Sequence, residues 1–111
     1  PSAATRASVS PEAMARALGE YLSEPKPKQL FEPGAAQDGE VALAPASRML
    51  YDRWHVFLNG EAYRAAGRDF RLMQTLADRR CLAAADRAKL SEGARTLVND
   101  WMEWGWLCPT R

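Results

Sequence analysis

The sequence predicts an α+β fold, in which a winged-helix-like domain follows a short helical segment. The first observation behind this prediction is the pair Asn59 and Gly60. It lies between two runs rich in β-branched and aromatic residues, and it tolerates the positive φ angles of a tight hairpin turn. The second is the change at Gly67, after which apolar residues recur every third or fourth position rather than every second. An antiparallel β meander followed by three helices is typical of a winged-helix-like domain.

Composition and charge limit the classes of function. The 111 residues are 47% hydrophobic and 26% charged, which is ordinary for one globular domain with an appendage. A net charge of +1 provides no overall field toward nucleic acid or an anionic membrane. The sequence contains no apolar run of the roughly 18 residues that a membrane span needs, and no secretory leader. These features predict a cytoplasmic protein with no membrane partner.

The first residue and the two cysteines carry further expectations. A mature protein rarely begins with a residue such as Pro1, so we expect a fragment of a longer protein whose chemistry lies upstream. Cys81 and Cys108 are able to pair in principle. A chain with four tryptophans and a normal core does not need a disulfide, however, so free thiols in a reducing cytosol are favoured.

A helix is predicted from residue 11 to about residue 23. Ser10 is able to cap it, Pro11 fits its first position, and Glu12 complements the helix dipole. Its apolar residues form one stripe: Met14, Ala17, Leu18, Tyr21 and Leu22. A helix of about three turns is marginal alone, so this stripe must be buried. Two interpretations stay open: the stripe packs on the rest of this chain, or it contacts another copy or a domain outside this sequence.

Residues 25–40 are rich in proline and glycine and form a connector, with Leu30 and Phe31 as a candidate anchor. A connector of this length is either functional or a linker between two units. We therefore predict a helical segment at residues 1–32 and a winged-helix-like domain at residues 33–111.

Two predicted turns set the register of the meander. The pairs across the turn at 59–60 are Leu58 with Glu61, Phe57 with Ala62, Val56 with Tyr63, and Trp54 with Ala65. The pairs across a second turn, at Asp52 and Arg53, are Tyr51 with Trp54 and Met49 with Val56. The resulting core face is apolar: Met49, Tyr51, Trp54, Val56, Tyr63, Ala65. The opposite face is mixed and predicted to be half-exposed: Leu50, His55, Phe57, Ala62, Arg64. Residues 41–43 are a further candidate strand.

Three helices follow the meander. Asp69 is predicted to cap the first, which runs to about Arg80, and a short second helix spans residues 83–90. Ser91 caps the third, whose apolar stripe is Ala94, Leu97, Val98, Trp101 and Met102. Gly105 occupies the C′ position and places Trp106 against Trp101. Residues 106–108 then form a short edge strand that returns to the sheet.

Catalytic chemistry finds no support in the side chains. His55, the only histidine, has no carboxylate or cysteine at a ligand spacing, so a structural role is favoured over a metal site. Its expected cross-strand neighbour Arg64 disfavours its charged form. The sequence contains no CxxC, no glycine-rich phosphate loop and no GxSxG. We predict no catalytic, cofactor-binding or metal-binding residue in this chain.

Partner contacts are the remaining class of function. Five basic residues lie near the turn that would meet the major groove in a DNA-binding protein: Arg79, Arg80, Arg87, Lys89 and Arg95. Acidic residues interleave with them, so a solvated face is favoured and a nucleic-acid contact stays the alternative. Trp104 falls off the apolar stripe of its helix and is a candidate anchor for a partner. The predicted interface residues are Met14, Leu18, Tyr21, Leu22 and Trp104.

Three segments together resemble one family. They are ALGEYLSEPKPK at residues 17–28, HVFLNGE at residues 55–61, and the glycine-to-helix segment at residues 67–80. They resemble the C-terminal part of the bacterial JmjC-type cupin oxygenases, the ribosomal oxygenases. These are similar to the enzyme that hydroxylates an arginine of a large-subunit ribosomal protein. The string GEYLSEPKP is the most specific of the three, and the resemblance covers about residues 12 to 109.

The resemblance implies a protein of three parts. An N-terminal cupin barrel carries a His-x-Asp…His iron site and binds 2-oxoglutarate, a helical dimerisation segment follows, and a winged-helix domain ends the chain. This sequence has no His-x-Asp, so none of the family's catalytic residues is carried over to it. The resemblance therefore implies a non-catalytic fragment that dimerises, supports the upstream cupin domain and belongs to an oxygenase acting on a ribosomal protein. The alternatives are a stand-alone winged-helix module that binds nucleic acid, and a protein-interaction module with no enzyme attached.

Overall fold

The computed structural model describes residues 10–25 and 39–110, and its secondary structure is of the predicted α+β class. The helices are α1 (Pro11–Ser23), α2 (Gly67–Arg79), α3 (Ala84–Arg87) and α4 (Glu92–Glu103). The strands are β1 (Val41–Leu43), β2 (Met49–Tyr51), β3 (Val56–Leu58), β4 (Glu61–Tyr63), β5 (Cys81–Leu82) and β6 (Leu107–Pro109). The predicted boundary at residues 32 and 33, and the candidate anchor at Leu30 and Phe31, lie outside the described residues.

The hairpin at residues 59–60 forms with the predicted register. Asn59 and Gly60 have φ angles of 50° and 90°, as a type I′ turn requires. The pairs across it are Val56 with Tyr63, Phe57 with Ala62 and Leu58 with Glu61. The predicted pair of Trp54 with Ala65 is absent, because the pairing of β3 with β4 ends at Val56 and Tyr63.

The second turn was predicted wrongly, by two residues. Tyr51 pairs with Val56 rather than with Trp54, so residues 52–55 form a four-residue loop. The carboxylate of Asp52 organises this loop, because its Oδ1 accepts from the backbone N–H of both Trp54 and His55 at 2.8 Å. A shift of two residues preserves the faces of the strands, so the division into two faces still holds for the strand residues. Trp54, however, is a half-exposed loop residue and not part of the core, and the Arg53 guanidinium lies 5.3 Å from its ring centroid.

The closing strand joins a second sheet and not the meander. The order of the meander is β2-β3-β4, whereas β5, β1 and β6 form a separate antiparallel sheet with β1 in the middle. Cys81 and Cys108 both lie opposite Ala42, on its two sides. Two strand spacings separate them by about 10 Å, which exceeds the Cα separation that a disulfide spans. Both cysteines are free, as predicted.

The core lies between the two sheets and the helices that follow them. The predicted stripe of α4 is part of this core, since Ala94, Val98, Trp101 and Met102 are buried and Leu97 is half-buried. Ser91 caps this helix by accepting from the N–H of Ala94. Its C-terminus has both hydrogen bonds of a Schellman motif: the N–H of Gly105 donates to the Met102 carbonyl, and that of Trp106 donates to the Trp101 carbonyl. The rings of Trp101 and Tyr63 pack edge-on with their centroids 5.2 Å apart, and the rings of Trp106 and Trp104 pack edge-on with their centroids 4.9 Å apart.

The first helix, α1, begins at Pro11 with Ser10 as its N-cap, as predicted, whereas the starts of α2 and α3 differ from the predictions. Asp69 does not cap α2, whose N-cap residue is Ala66. Its carboxylate accepts instead from the N–H and the hydroxyl of Ser91, at 2.9 and 2.6 Å, and so ties α2 to the start of α4. The predicted helix at 83–90 is only four residues long, and a two-residue strand at 81–82, which the sequence did not predict, precedes it.

The N-terminal helix α1 covers the face of the meander that was expected to be half-exposed. Phe57 retains only 2% of its exposure there because it lies under α1. Gly19 makes this packing possible: a Cβ atom added to it lies 2.3 Å from Cζ of Phe57. The prediction of a half-exposed face was wrong for Phe57 and for His55, which is 3% exposed. Among the described helices, none is long and apolar enough to cross a membrane.

Candidate docking surface on the N-terminal helix

The predicted apolar stripe of α1 points to solvent. Met14 is 63% exposed, Leu18 57%, Tyr21 70% and Leu22 50%. The side of the helix that packs on the meander carries its two buried residues, Gly19 and Ser23, both of them small. The interpretation that the stripe packs on the rest of this chain is therefore wrong for residues 10–25 and 39–110. The helix packs on this chain, but through a different side, and it leaves its large apolar residues uncovered.

The meander extends this apolar surface. Leu18 and Leu22 of α1 face Leu50 and Tyr51 of β2 across a groove of about 330 Å³, with Phe57 among its lining residues. The two β2 residues are 38% and 39% exposed. We call this feature the α1–β2 groove; its lining residues are Ala15, Leu18, Gly19, Leu22, Leu50, Tyr51, Asp52 and Phe57.

The contribution of β2 to this surface was not predicted from the sequence. Tyr51 was assigned to the core face and Leu50 to the opposite face, and neither was predicted as an interface residue. Tyr51 is the last residue of an edge strand, where its ring packs edge-on against Phe70 at 6.5 Å and its hydroxyl donates to the Asp78 carboxylate. Tyr51 lies at the groove because α1 docks beside β2, and the position of α1 cannot be predicted from the pattern of residues in β2.

Polar contacts hold α1 in one orientation at both of its ends. At the C-terminal end, the fully buried Ser23 hydroxyl accepts from the N–H of Gly60 at 3.0 Å and donates to the Glu20 carbonyl. At the N-terminal end, Glu12 forms an ion pair with Arg64, and its Oε2 lies 3.9 Å from Nε2 of His55. The groove is therefore a preformed surface.

His55 belongs to this arrangement and not to a metal site. Its Nδ1 lies 4.0 Å from Oδ1 of Asp52, and its Nε2 faces Glu12. The expected neighbour Arg64 is present, but its positive charge is compensated by Glu12. Within residues 10–25 and 39–110, no group of three histidine, cysteine, aspartate or glutamate side chains is placed to hold a metal ion. The described residues do not fit an iron site.

Two tyrosines near these surfaces have shifted pKa values. The hydrogen bond to the Asp78 carboxylate raises the pKa of Tyr51, with smaller contributions from burial and from the negative charge of Asp78. Burial raises the pKa of Tyr63, and the nearby charges of Glu61 and Asp100 add to this while the neighbouring Trp101 side chain opposes it. Both hydroxyls therefore stay protonated at neutral pH.

Most of the predicted basic face is used inside the fold. Arg80 has φ of 61° and donates to the carbonyls of Ala44 and Ser47. Arg87 is only 7% exposed, so the solvated-face interpretation was wrong for it. Arg95 donates to the backbone carbonyls of residues 88 and 90. The charged residues of α4 are Glu92, Arg95, Asp100 and Glu103, one positive against three negative, so its net charge is −2.

Trp104, the remaining predicted interface residue, lies at the C-cap of α4 and is 46% exposed. It is not among the residues that line the α1–β2 groove. The structure thus brings Leu18 and Leu22 together with residues of β2, whereas Trp104 forms a separate exposed aromatic site beside Trp106.

Comparisons with known proteins identify relatives of this fold. A family model described as ROXA-like winged helix matches residues 4–108. No curated protein matches the chain. Among solved structures, one of YcfD from Escherichia coli is similar at a TM-score of 0.75 and 17% identity, over 89% of this chain and 30% of that chain.

Further structures of YcfD describe it as a ribosomal oxygenase from Escherichia coli. One is similar at a TM-score of 0.75 and 18% identity, over 89% of this chain and 31% of that chain. Another, in complex with cobalt and 2-oxoglutarate, has a TM-score of 0.70 and 16% identity, over 88% of this chain and 30% of that chain. At these identities the likeness shows the fold. The chain thus spans about 30% of the length of the structures that it matches. The predicted winged-helix class and the resemblance to ribosomal oxygenases are confirmed.

Proposed function

The chain belongs to the ROXA-like winged helix family, and from this premise we propose that it is the non-catalytic support domain of a cytoplasmic Fe(II)- and 2-oxoglutarate-dependent protein hydroxylase. The catalytic part is an upstream cupin domain of the JmjC type, and the substrate is a ribosomal protein. Support comes from the YcfD structures, one described as a ribosomal oxygenase and one holding cobalt and 2-oxoglutarate. The metal and 2-oxoglutarate bind in the upstream domain, since the described residues here do not fit a metal site.

The role proposed for this chain is self-association through α1. The observation that carries it is the exposed apolar stripe, whose four large side chains are each at least half exposed. Soluble monomers rarely leave a contiguous apolar surface of this kind uncovered, and such surfaces mark interaction sites. The proposed interface comprises Met14, Leu18, Tyr21 and Leu22 from one copy against the same residues of a second copy. Trp104 is proposed as a separate contact to the upstream cupin domain.

The substitution Leu18→Asp tests the proposed dimer. A carboxylate in the middle of the stripe must be desolvated when two copies associate, so self-association should weaken by roughly tenfold or more. Sedimentation velocity over a concentration series measures the dissociation constant, and circular dichroism checks that the fold is retained. Ala13→Asp is the matched control, because Ala13 lies on α1, is exposed and does not line the groove.

Three results are distinguishable in this experiment. Weaker association of the Leu18→Asp variant, with the control unchanged, supports the proposal. Sedimentation of both variants like the parent, together with equal binding to the upstream domain, contradicts it. In the third result, the parent stays monomeric at every concentration and the Leu18→Asp variant no longer binds the upstream domain. This result makes the stripe an interdomain contact instead of a dimer contact.

Nucleic-acid binding is the less supported alternative. The helix that would enter the major groove has a net charge of −2. Phosphate neutralisation supplies most of the affinity of such proteins, so this surface is poorly suited to it. A salt-dependent mobility shift of duplex DNA would support the alternative, and the absence of a shift at low salt would remove it.

A further inference from the structure

A second cavity lies on the other side of the winged-helix domain, between α3 and α4. Its volume is about 330 Å³, and its lining residues are Gly39, Ala84, Arg87, Ala88, Arg95 and Asn99. None of them lines the α1–β2 groove. Two arginines are the charged residues in this lining, which we call the Arg87–Arg95 pocket.

Arg87 carries a positive charge in a nearly fully buried position. The residue is 7% exposed, and its guanidinium donates to three neutral acceptors: the Gly39 carbonyl at 3.0 Å, Oδ1 of Asn99 at 2.9 Å and Sδ of Met102 at 3.4 Å. A buried charge is costly unless an opposite charge lies beside it. Among the ion pairs of the described residues, none includes Arg87. The burial of this charge is therefore uncompensated within the described part of the chain.

Arg95, which is exposed, adds a second positive charge to the same pocket. Glu92 lies three residues before it on α4, a spacing that allows an ion pair. The Arg95 side chain bonds instead to the carbonyls of Leu90, at 3.0 Å, and Ala88, at 2.8 Å. These two bonds fix the guanidinium at the edge of the pocket while leaving its charge unpaired among the described residues.

Both guanidiniums retain donors for a ligand. Each has five N–H groups. Arg87 uses three of its N–H groups on described acceptors, so two remain. Arg95 uses two of its N–H groups on described acceptors, so three remain. Asn99 contributes the other polar side chain of the pocket and already accepts from Arg87. Among the described residues that line the pocket, none is a carboxylate that competes with an incoming anion.

We propose that the Arg87–Arg95 pocket binds a phosphate group. Two guanidiniums in one lining, each with N–H groups to spare, suit the several oxygens of a phosphate, and charge-assisted hydrogen bonds of this kind are about twice as strong as neutral ones. A phosphate also supplies the negative charge that buried Arg87 lacks. The same chemistry is offered by free phosphate and by a phosphodiester of RNA, and the experiment separates the two.

The probe is inorganic phosphate, added to the ¹⁵N-labelled chain with chloride removed to keep ionic strength constant. The expected result is a saturable shift of the Nε–Hε signals of Arg87 and Arg95 in the NMR spectrum. The key variant is Asn99→Asp, which places a carboxylate where Arg87 already has a hydrogen bond and so supplies the missing charge internally. We expect it to raise the half-saturating phosphate concentration by roughly tenfold or more, and Arg95→Gln to act in the same direction.

Arg79→Gln is the matched control, because Arg79 is exposed and does not line the pocket. Shifts that do not saturate, that appear equally on all arginines, or that are unchanged in both Asn99→Asp and Arg95→Gln overturn the proposal. Acetate binding as tightly as phosphate overturns the assignment of the ligand class. A short uridine RNA then decides the source: competition at lower concentration than phosphate indicates a phosphodiester, and weaker competition indicates free phosphate.

Discussion

The backbone of α1 meets the meander at Gly19, where there is room for hydrogen only. An added Cβ atom lies 2.3 to 2.6 Å from three atoms of the Phe57 ring, closer than real Cβ atoms approach. Phe57 itself is 2% exposed and has little space to retreat. A single glycine thus lets the helix cover this aromatic ring.

The substitution Gly19→Ala should destabilise the chain although alanine favours helices. The new methyl group overpacks against Phe57, which typically costs about 1–3 kcal/mol. The free energy of unfolding from urea titration measures the effect. Gly93→Ala is the control, because a Cβ atom there meets nothing within 4 Å, and it should stabilise α4 by about 0.5–1 kcal/mol. An unchanged or higher stability of Gly19→Ala would contradict the packing.

Tyr51 provides a second residue-scale prediction, on pH. Its hydrogen bond to Asp78 raises the pKa of Tyr51 in the folded chain above the value of the unfolded chain, about 10. A raised pKa means that this contribution to stability is fully present below pH 10 and is lost as pH rises through the folded pKa. In Asp78→Asn the pKa of Tyr51 should fall toward 10. The ¹³Cζ signals of the tyrosines, followed by NMR titration, measure this, and the pKa of Tyr63, whose causes do not include Asp78, serves as the control.

Among the elements, α1 shows why amphipathicity alone does not identify the buried side of a helix. Its apolar stripe is regular, yet the side against the meander is the one that carries Gly19 and Ser23. Close approach to a sheet favours small residues, and Ser23 adds a hydrogen bond to the turn of the hairpin. The large apolar residues are left for a different partner.

The substitution Ser23→Ala should loosen the end of α1 against the hairpin. The N–H of Gly60 loses its acceptor in a partly buried position, which costs about 1 kcal/mol. Hydrogen exchange of the Gly60 amide should accelerate accordingly, and thermal unfolding gives the overall loss. Thr96→Ala is the comparison, since the Thr96 hydroxyl bonds only within its own helix, to the Glu92 carbonyl. Equal exchange rates at Gly60 in parent and variant would show that Ser23 does not hold the helix.

On the scale of the whole molecule, the α1–β2 groove and the Arg87–Arg95 pocket each combine residues of more than one element. The apolar α1–β2 groove combines residues far apart in the sequence, and the Arg87–Arg95 pocket lies between α3 and α4. One is suited to an apolar protein surface and the other to an anion. The described parts of the chain thus combine a conventional core with two sites that lack a partner of matching chemistry.

If the groove acts as one surface, a change on β2 should have the effect of a change on α1. Leu50→Lys places a charge on an exposed edge-strand position that lines the groove, where lysine is well tolerated by a sheet. We expect weaker self-association, as for Leu18→Asp, measured in the same sedimentation series. Ala85→Asp is the control, because Ala85 is an exposed residue of α3 and does not line the groove. Normal association of the Leu50→Lys variant would restrict the interface to α1.

The sequence alone determined the elements whose causes are local. The hairpin at 59–60 follows from two residues that accept positive φ, and the start and end of α4 follow from Ser91 and Gly105. The apolar stripe of α4 identified the side of that helix that is buried, because a helix covered on one side repeats its apolar residues every three or four positions. The stripe of α1 was also found, but the sequence left open whether this chain or another partner covers it.

Tertiary structure decided everything that depends on which elements meet. The four-residue loop at 52–55, the pairing of β6 with β1, and the bond of Asp69 to Ser91 each need a partner that is distant in sequence or that competes with a local one. The burial of Arg87 and the exposure of Leu18 depend in the same way on how helices are placed. Periodicity states that a side of a helix is apolar, whereas packing geometry, here the absence of a side chain at Gly19, decides which side is covered.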